Sequence, residues 1–474
     1  MMSKMFFQYI LENVKRNPDK LAVKDSKRQV TYKELCKEVL SKRQVLKHKG
    51  ISEKDKILLV MGNSVDWITI FLSFASMGTK VAMISPETKE QQIELLAGKI
   101  DCSHIITKEN CQDFFVLEQE AVEKEEIDFP LGNCEIVYHI TSGSTGDFKI
   151  CVRTIEQFVA EGIMFQERLH MKSSDVIVCP IPIYHSYAFG AVIINGLMAG
   201  AGIVLMERFT PRKYLKLLLT NHATISFAIP AIVRLLVSVH LPEAVDLSCM
   251  RYLVIGAGVI TEDVFLEFKQ RFHLSLSSNY GSSETGGIIT RIEEEKYPSI
   301  GRPMKNVEIL IRSESGQPCR PDVEGELWVK APSIMNRYIG KSDILDQNGY
   351  FFTGDLARQD MDGFVFITGR VKNIVNIGGK KVNPYYVEQI MRRLHGVKEV
   401  VVIGSKRKTG EEFLAAIIEG ESDFDLQEIR KALRTQVEVH MVPSIIQNVP
   451  KIPKNEMGKI ERNKVLELLK NELL

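Results

Sequence analysis

Short apolar runs bounded by turn residues alternate with amphipathic stretches along most of the chain. Lys56–Val60 (KILLV) reads as a strand, residues 67–77 as a helix, and residues 81–84 as a strand that stops at Ser85-Pro86. The rhythm returns at 176–181, 203–206, 224–228 and Tyr252–Ile255. Such alternation implies α/β layers with largely parallel strands. Around 307–311, 326–329 and 364–367 the strands lie closer together and the turns tighten, so that stretch reads as antiparallel. Beyond Gly369-Arg370 come a strand-like run, a glycine turn, a helix over 384–394, strands at 400–403 and 414–418, and a helix over 426–437. These make a compact unit of ordinary domain size. The expected division is therefore 1–370 and 371–474, with the junction near Lys372.

At 474 residues the chain is too long for one hydrophobic core, which agrees with that division. Hydrophobic content of 45% and charged content of 26% are those of an ordinary globular protein. A formal charge of +1 supplies no global attraction to nucleic acid or anionic membrane. The eight cysteines are scattered, with no CxxC pair, and are expected to be reduced thiols in a cytoplasmic protein. The N-terminus reads as an amphipathic helix and not a secretion signal. Residues 187–206 carry no formal charge and could span a bilayer by length. Gly190, Gly196, Gly200 and Gly202 interrupt them, however, so a buried helix, a turn and a strand are expected instead.

The first candidate chemistry follows the strand Val137-Tyr138-His139-Ile140. Thr141, Ser142, Gly143, Ser144, Thr145 and Gly146 are six small residues with two glycines and four hydroxyls, and Lys149 follows. Backbone N–H and side-chain O–H groups can converge there on phosphate oxygens, with the lysine adding a point charge. A flexible Ser/Gly linker would not ordinarily sit directly behind an apolar strand. This is not a GxxxxGK[ST] loop; Gly340-Lys341-Ser342 comes nearest but has Met335 where the first glycine belongs. Tyr252–Ile255 followed by Gly256-Ala257-Gly258 opens like a dinucleotide fingerprint, but Thr261 holds the third glycine's place, which argues against a nicotinamide enzyme. Close backbone approach to a planar ligand such as adenine is the use expected for that turn.

Four further segments come in a fixed order: NYGSSETG at 279–286, YFFTGD at 350–355, GRVK at 369–372 and PKNEMGKI at 453–460. Together with TSGSTG, they make the chain resemble the adenylate-forming superfamily of acyl-CoA synthetases, peptide-synthetase adenylation domains and luciferases. The resemblance runs from Thr31-Tyr32 to Lys459. It implies a large N-terminal domain of layered α/β subdomains plus a distorted antiparallel β-barrel, and a small mobile α+β C-terminal domain.

The same resemblance implies roles. Thr141 to Gly146 and Lys149 would hold the phosphates of ATP. Tyr280 would stack on adenine, with Asn279, Gly281 and the Gly256-Ala257-Gly258 backbone nearby. Ser283 would touch the α-phosphate, and Glu284, with Thr145, would hold Mg²⁺, a hard cation that takes oxygen ligands. Asp355 would accept the ribose hydroxyls, with Arg370 on the same side. Lys459, together with Glu284 and Lys149, would act in catalysis, bridging the acid's carboxylate and the phosphate where charge grows. Lys372 falls at the family's hinge. Gly378 and Gly379 would border a pantetheine channel, so CoA or a phosphopantetheine carrier protein is the expected acceptor. Lys406, Arg407 and Lys408 could meet the CoA nucleotide or equally be a solvated basic turn.

His185 and Ser186, with Gly287 and Ile288 at the floor, match the acyl pocket. Amino-acid-activating members carry an aspartate at the place of His185 to pair an α-ammonium, which would otherwise be buried without a partner. A fatty or aromatic acid is expected, not an α-amino acid. The chain departs from the family at Phe148 and Ile150, where proline and glycine flank the lysine. The leading expectation is formation of acyl-AMP with release of pyrophosphate, then transfer to CoA. The rivals are a ligase that loads a carrier protein and a nucleotide-binding relative without turnover.

Overall fold

The computed structural model describes residues 6–116, 135–142, 148–293, 295–407, 410–420, 425–454 and 460–469. The chain packs as two units, residues 1–308 with 330–351 and residues 309–329 with 352–474. The stretch expected as a barrel thus groups with the C-terminal residues, and not with those before 308. It is a four-stranded sheet in the order Glu308–Arg312, Gly325–Lys330, Phe351–Gln359, Val365–Arg370.

The first unit contains two sheets. In the nine-stranded one, six adjacent strands run parallel: Leu276–Ser282, Tyr252–Ile255, Ile225–Ala228, Val176–Cys179, Gly202–Leu205 and Leu21–Lys24. Antiparallel strands close each edge. Gly202–Leu205 and Ile225–Ala228 are buried along their whole length, as parallel strands covered on both faces must be. In the six-stranded sheet Lys80–Ile84 lies between Lys56–Val60 and Glu135–Ser142, and the latter pairs antiparallel with Phe148–Thr154. Thr154 then starts the helix Ile155–Arg168 with a capping box, its side chain accepting from the Gln157 N–H while Gln157 returns the bond.

The uncharged stretch at 187–206 folds as expected, with one addition. Ser186–Ala188 is a helical turn, Phe189–Ile194 a π-helical turn, and Asn195–Ala199 an α-helical one. Gly200 ends it at φ 75°, and the strand Gly202–Leu205 follows. Among the described residues no helix is long and apolar enough to cross a membrane.

The second unit ends in a three-stranded sheet, Val397–Lys406, Glu412–Gly420 and Ile445–Asn448. Its alternating residues fill two cores. Val400, Val402, Leu414 and Ala416 face the helices Pro384–Met391 and Leu426–Arg434, while Val401, Ile403, Phe413 and Ala415 face Val465 and Leu469 of Arg462–Leu469. That two-sided burial explains the unbroken apolar runs VVVI and FLAAII.

Candidate active site

The phosphate segment is a hairpin. Thr141 and Ser142 end its first strand, opposite Lys149 and Phe148 on the second. Gly143, Ser144, Thr145 and Gly146 lie outside the described residues, as does Lys459. Lys149 is exposed and its ammonium sits 5.3 Å from the centroid of the Tyr338 ring. The Tyr338 hydroxyl donates to Glu284 Oε1 at 2.8 Å. Burial first, then the Glu284 charge, pushes that phenol far above its ordinary range, so it keeps the proton it donates. Lys149 and Glu284, far apart in the chain, therefore meet at one tyrosine that sequence reasoning missed.

Glu284 rides on the turn between Leu276–Ser282 and Gly286–Arg291. Ser282 Oγ accepts from the Glu284 and Thr285 amides, Met335 N–H donates to the Glu284 carbonyl at 2.7 Å, and Ser333 Oγ donates to the Thr285 carbonyl at 2.6 Å. Ser283 Oγ lies 2.9 Å from Ser186 Oγ, which joins the phosphate motif to the acyl motif.

On the side expected to take adenine, a protein ring packs against Gly256. A Cβ at Gly256 would stand 2.5 Å from the Tyr187 ring, so the planar group against that glycine is a side chain of the protein. Tyr187 OH donates to the Val254 carbonyl at 3.0 Å and holds the ring there. Ala257 and Gly258 are exposed, Ala257 at φ 62°. Asn279 is buried, its amide donating to Thr290 Oγ1 at 3.0 Å and to the Ile289 carbonyl at 3.3 Å, while half-buried Tyr280 follows it on the strand and points to the opposite face.

At the acyl positions, burial lowers the His185 pKa to about 4, so its imidazole is neutral. Its ring lies 4.7 Å from that of Tyr184, and Nε2 has no protein partner among the described residues. Ile288 is fully buried. The room that glycine leaves at Gly287 is taken, because a Cβ there would meet the Phe165 ring at 2.6 Å and the Asn279 amide at 2.8 Å.

Asp355 and Arg370 belong to the second unit. They are cross-strand partners, joined at 2.5 Å between Arg370 Nε and Asp355 Oδ1, with the carboxylate 7% exposed and the guanidinium 44%. Lys372 lies in a short 3₁₀ turn, Val371–Asn373. Gly378 and Gly379 form the tip of the hairpin Val375–Ile377 and Lys380–Val382, at φ 57° and 85°, with nothing within 4 Å of either Cβ position. Lys406 pairs Glu412 at 3.0 Å and Arg407 pairs Glu411 at 3.6 Å, as in a solvated hairpin end. Lys408 lies outside the described residues.

Residues 10–339 match the family described as AMP-binding enzyme, and residues 386–459 match the AMP-binding enzyme C-terminal domain. The chain is 25% identical to 4-coumarate–CoA ligase 3 of Arabidopsis thaliana, over 96% of this chain and 89% of that protein. It is 24% identical to 2-succinylbenzoate–CoA ligase of Listeria monocytogenes, over 97% and 98%. O-succinylbenzoate coenzyme A synthetase from Bacillus subtilis, solved in complex with ATP and magnesium ion, superposes with a TM-score of 0.86 at 20% identity, covering 97% of this chain and 99% of that one.

Proposed function

The chain belongs to the AMP-binding enzymes, and from that premise we propose that it is an acid–thiol ligase making an acyl-CoA through an acyl-adenylate. A carboxylate oxygen of the acid bonds to the α-phosphorus of ATP, the α–β bridging bond breaks, and pyrophosphate leaves. The thiol sulfur of CoA then bonds to the acyl carbon, the acyl–oxygen bond breaks, AMP departs, and the thiol proton passes to solvent. The curated relatives named for CoA ligation, matched over nearly their whole length, support CoA over a carrier protein.

The observation that carries this reading is the meeting of Lys149 and Glu284 at Tyr338. One exposed cation and one half-buried carboxylate stand beside the strand ends that lead into the phosphate motif, in the first unit. Glu284 fits a magnesium ligand: Tyr338 occupies one oxygen, and no cluster of three metal-ligating side chains exists among the described residues. Bound there, Mg²⁺ would take its other ligands from phosphate oxygens and water and would neutralise phosphate charge. Thr145, Lys459, the hinge at Lys372 and the Gly378-Gly379 channel keep their roles as part of the proposal, as do Asp355 and Arg370 on the ribose. His185, neutral, half-buried and set against the Tyr184 ring, suits an uncharged aliphatic or aryl acid tail and offers no partner to an α-ammonium. A cytoplasmic location fits the absence of disulfides among the described cysteines.

The test is a screen of aliphatic, aryl and amino acids for acid-dependent pyrophosphate exchange, with thioester formation followed with and without CoA. Exchange with an aliphatic or aryl acid and a thioester with free CoA are expected. ATP binding with no exchange for any acid would defeat the proposal.

A further inference from the structure

Beneath the motif turn lies an ion pair that the proposed chemistry does not use. Arg153 and Glu161 are almost fully buried and joined at 2.8 Å between Nη2 and Oε2, with the guanidinium 3.7 Å from the Phe158 ring centroid. Burying two charges is costly, and an apolar pair of similar volume often serves stability as well or better. The second Glu161 oxygen shows what this pair adds. Oε1 accepts the Gly287 backbone N–H at 2.9 Å, directly behind the turn that carries Ser283 and Glu284. The carboxylate is pressed so close that a Cβ at Gly286 would stand 2.5 Å from it and one at Gly190 2.6 Å.

The same helix grips the strand a second time. Arg168 donates to the Thr290 carbonyl through Nη2 at 3.1 Å and Nε at 3.3 Å. From Glu161 to Arg168 is two helical turns, about 10.5 Å. From Gly287 to Thr290 is three strand residues, about 10 Å. The two spacings match, so Ile155–Arg168 lies along Gly286–Arg291 with a side-chain anchor at each end. Its N-terminus follows directly from Phe148–Thr154, the strand that carries both Lys149 and Arg153.

We propose that Glu161 is a positioning residue: held by Arg153, it fixes the Gly287 amide, and through it the Ser283–Glu284 turn, against the strand that carries Lys149. The phosphate hairpin and the turn thereby move as one piece. The metal-binding consequence rests on the reading of Glu284 given above; the restraint on the backbone does not.

The experiment uses the full-length protein and the variants Glu161→Gln, Arg168→Gln and the apolar pair Arg153→Met/Glu161→Leu. Two quantities are read besides turnover: amide hydrogen exchange over residues 282–290, and binding of Mn²⁺ with ATP followed by electron paramagnetic resonance. Glu161→Gln is expected to speed exchange at Gly287 and the turn about tenfold and to weaken Mn²⁺ binding several-fold. Arg168→Gln, at a partly exposed site, should act in the same direction at Thr290 and less strongly. The apolar pair should recover thermal stability but not wild-type exchange, which separates positioning from simple stabilisation. Wild-type exchange over 282–290 in a folded Glu161→Gln protein would overturn the proposal. If that variant does not fold, unchanged exchange in Arg168→Gln together with wild-type exchange in the apolar pair would overturn it equally. A wild-type protein that shows no acid-dependent pyrophosphate exchange would sink the functional reading alone, because the amide measurement still decides this one.

Discussion

Two hairpin turns rich in glycine, one in each unit, look alike as sequence and differ in what demands the glycine. In the first unit, a Cβ on Gly281 would stand 2.0 Å from the Gly286 carbonyl oxygen, and Gly286 and Gly287 are closed in by Glu161, Phe165 and Asn279. In the second, Gly378 and Gly379 have nothing within 4 Å of their Cβ positions, and only their positive φ calls for glycine. The first turn is specified by close neighbours at each of these three glycines, which restricts its backbone. The second is a free hairpin tip whose two left-handed residues suit a tight two-residue connection, and its outer surface is open to a partner. The proposed roles fit this difference: metal and phosphate at the fixed turn, a narrow pantetheine chain at the open tip.

The largest effect that can break this comparison is expected at Gly281. The clash is with backbone that has no rotamer to yield, so Gly281→Ala should cost at least about 3 kcal/mol, the upper range for overpacking. Urea unfolding followed by circular dichroism measures it, and a loss under 1 kcal/mol would mean that the turn is as loose as the tip at Gly378.

Asp355→Ala probes whether the second unit also spares its fold when a charged group is lost. Its partner Arg370 is 44% exposed and can return to water, unlike Arg153. Stability should therefore fall by about 1 kcal/mol or less, as at exposed pairs. ATP affinity should drop on the order of a hundredfold, or about 2.7 kcal/mol, if the carboxylate accepts both ribose hydroxyls. Equilibrium titration with a non-hydrolysed ATP analogue reads the affinity, and an unchanged value would remove Asp355 from the nucleotide site.

Acid pH sharpens the contrast from the first unit's side. Burial holds His185 near a pKa of about 4, and burial, then Arg153, then His185 lower His139 as well. A native pKa below the unfolded one means that the unfolded chain gains the proton first as pH falls. The stability tied to His185 is whole above the unfolded value of about 6.5 and is lost as pH drops toward 4, by about 1.5 kcal/mol between 6.5 and 5. His185→Asn should flatten that part of the pH dependence of the denaturant midpoint. An unaltered slope would place the histidine in contact with water.

What could be read from the sequence was local. The strand before Thr141, the turn after Tyr252–Ile255, and the helix, turn and strand of residues 187–206 follow from apolar runs and punctuation over a few residues. Six parallel strands follow from the same rhythm. The geometry of the site depends on partners distant in the chain. Tyr338 reaches Glu284 only because Arg337–Tyr338 pairs with the strand Phe148–Thr154. Tyr187 packs against Gly256 from a distant helical turn, a neighbour that nothing near Gly256 in the sequence announces. Glu161 did leave a trace: it falls between Phe158 and Phe165 on the buried face of its helix, three and four residues from each. Arg153 left another, standing inside the apolar run ICVRTI. Each trace is the mark of a buried charge, and neither names its partner across the fold. The grouping of 309–329 with 352–474 was likewise hidden, because a sheet that recruits strands on both sides of an excursion has no boundary signal in the chain.

The smallest expected effect tests the open tip itself. Gly378→Ala adds a methyl group into empty space, so the cost is conformational, about 1 kcal/mol for an L-residue held at positive φ. Asparagine tolerates that region better, so Gly378→Asn should recover part of the stability while placing a larger side chain on the same surface. If the pantetheine arm crosses this tip, the two variants must separate. Thioester formation from pre-made acyl-adenylate should slow more in Gly378→Asn than in Gly378→Ala, although the asparagine protein is the more stable of the two, and pyrophosphate exchange should stay at the wild-type rate in both. Rates that track stability instead of side-chain size would show that the glycine serves only its turn.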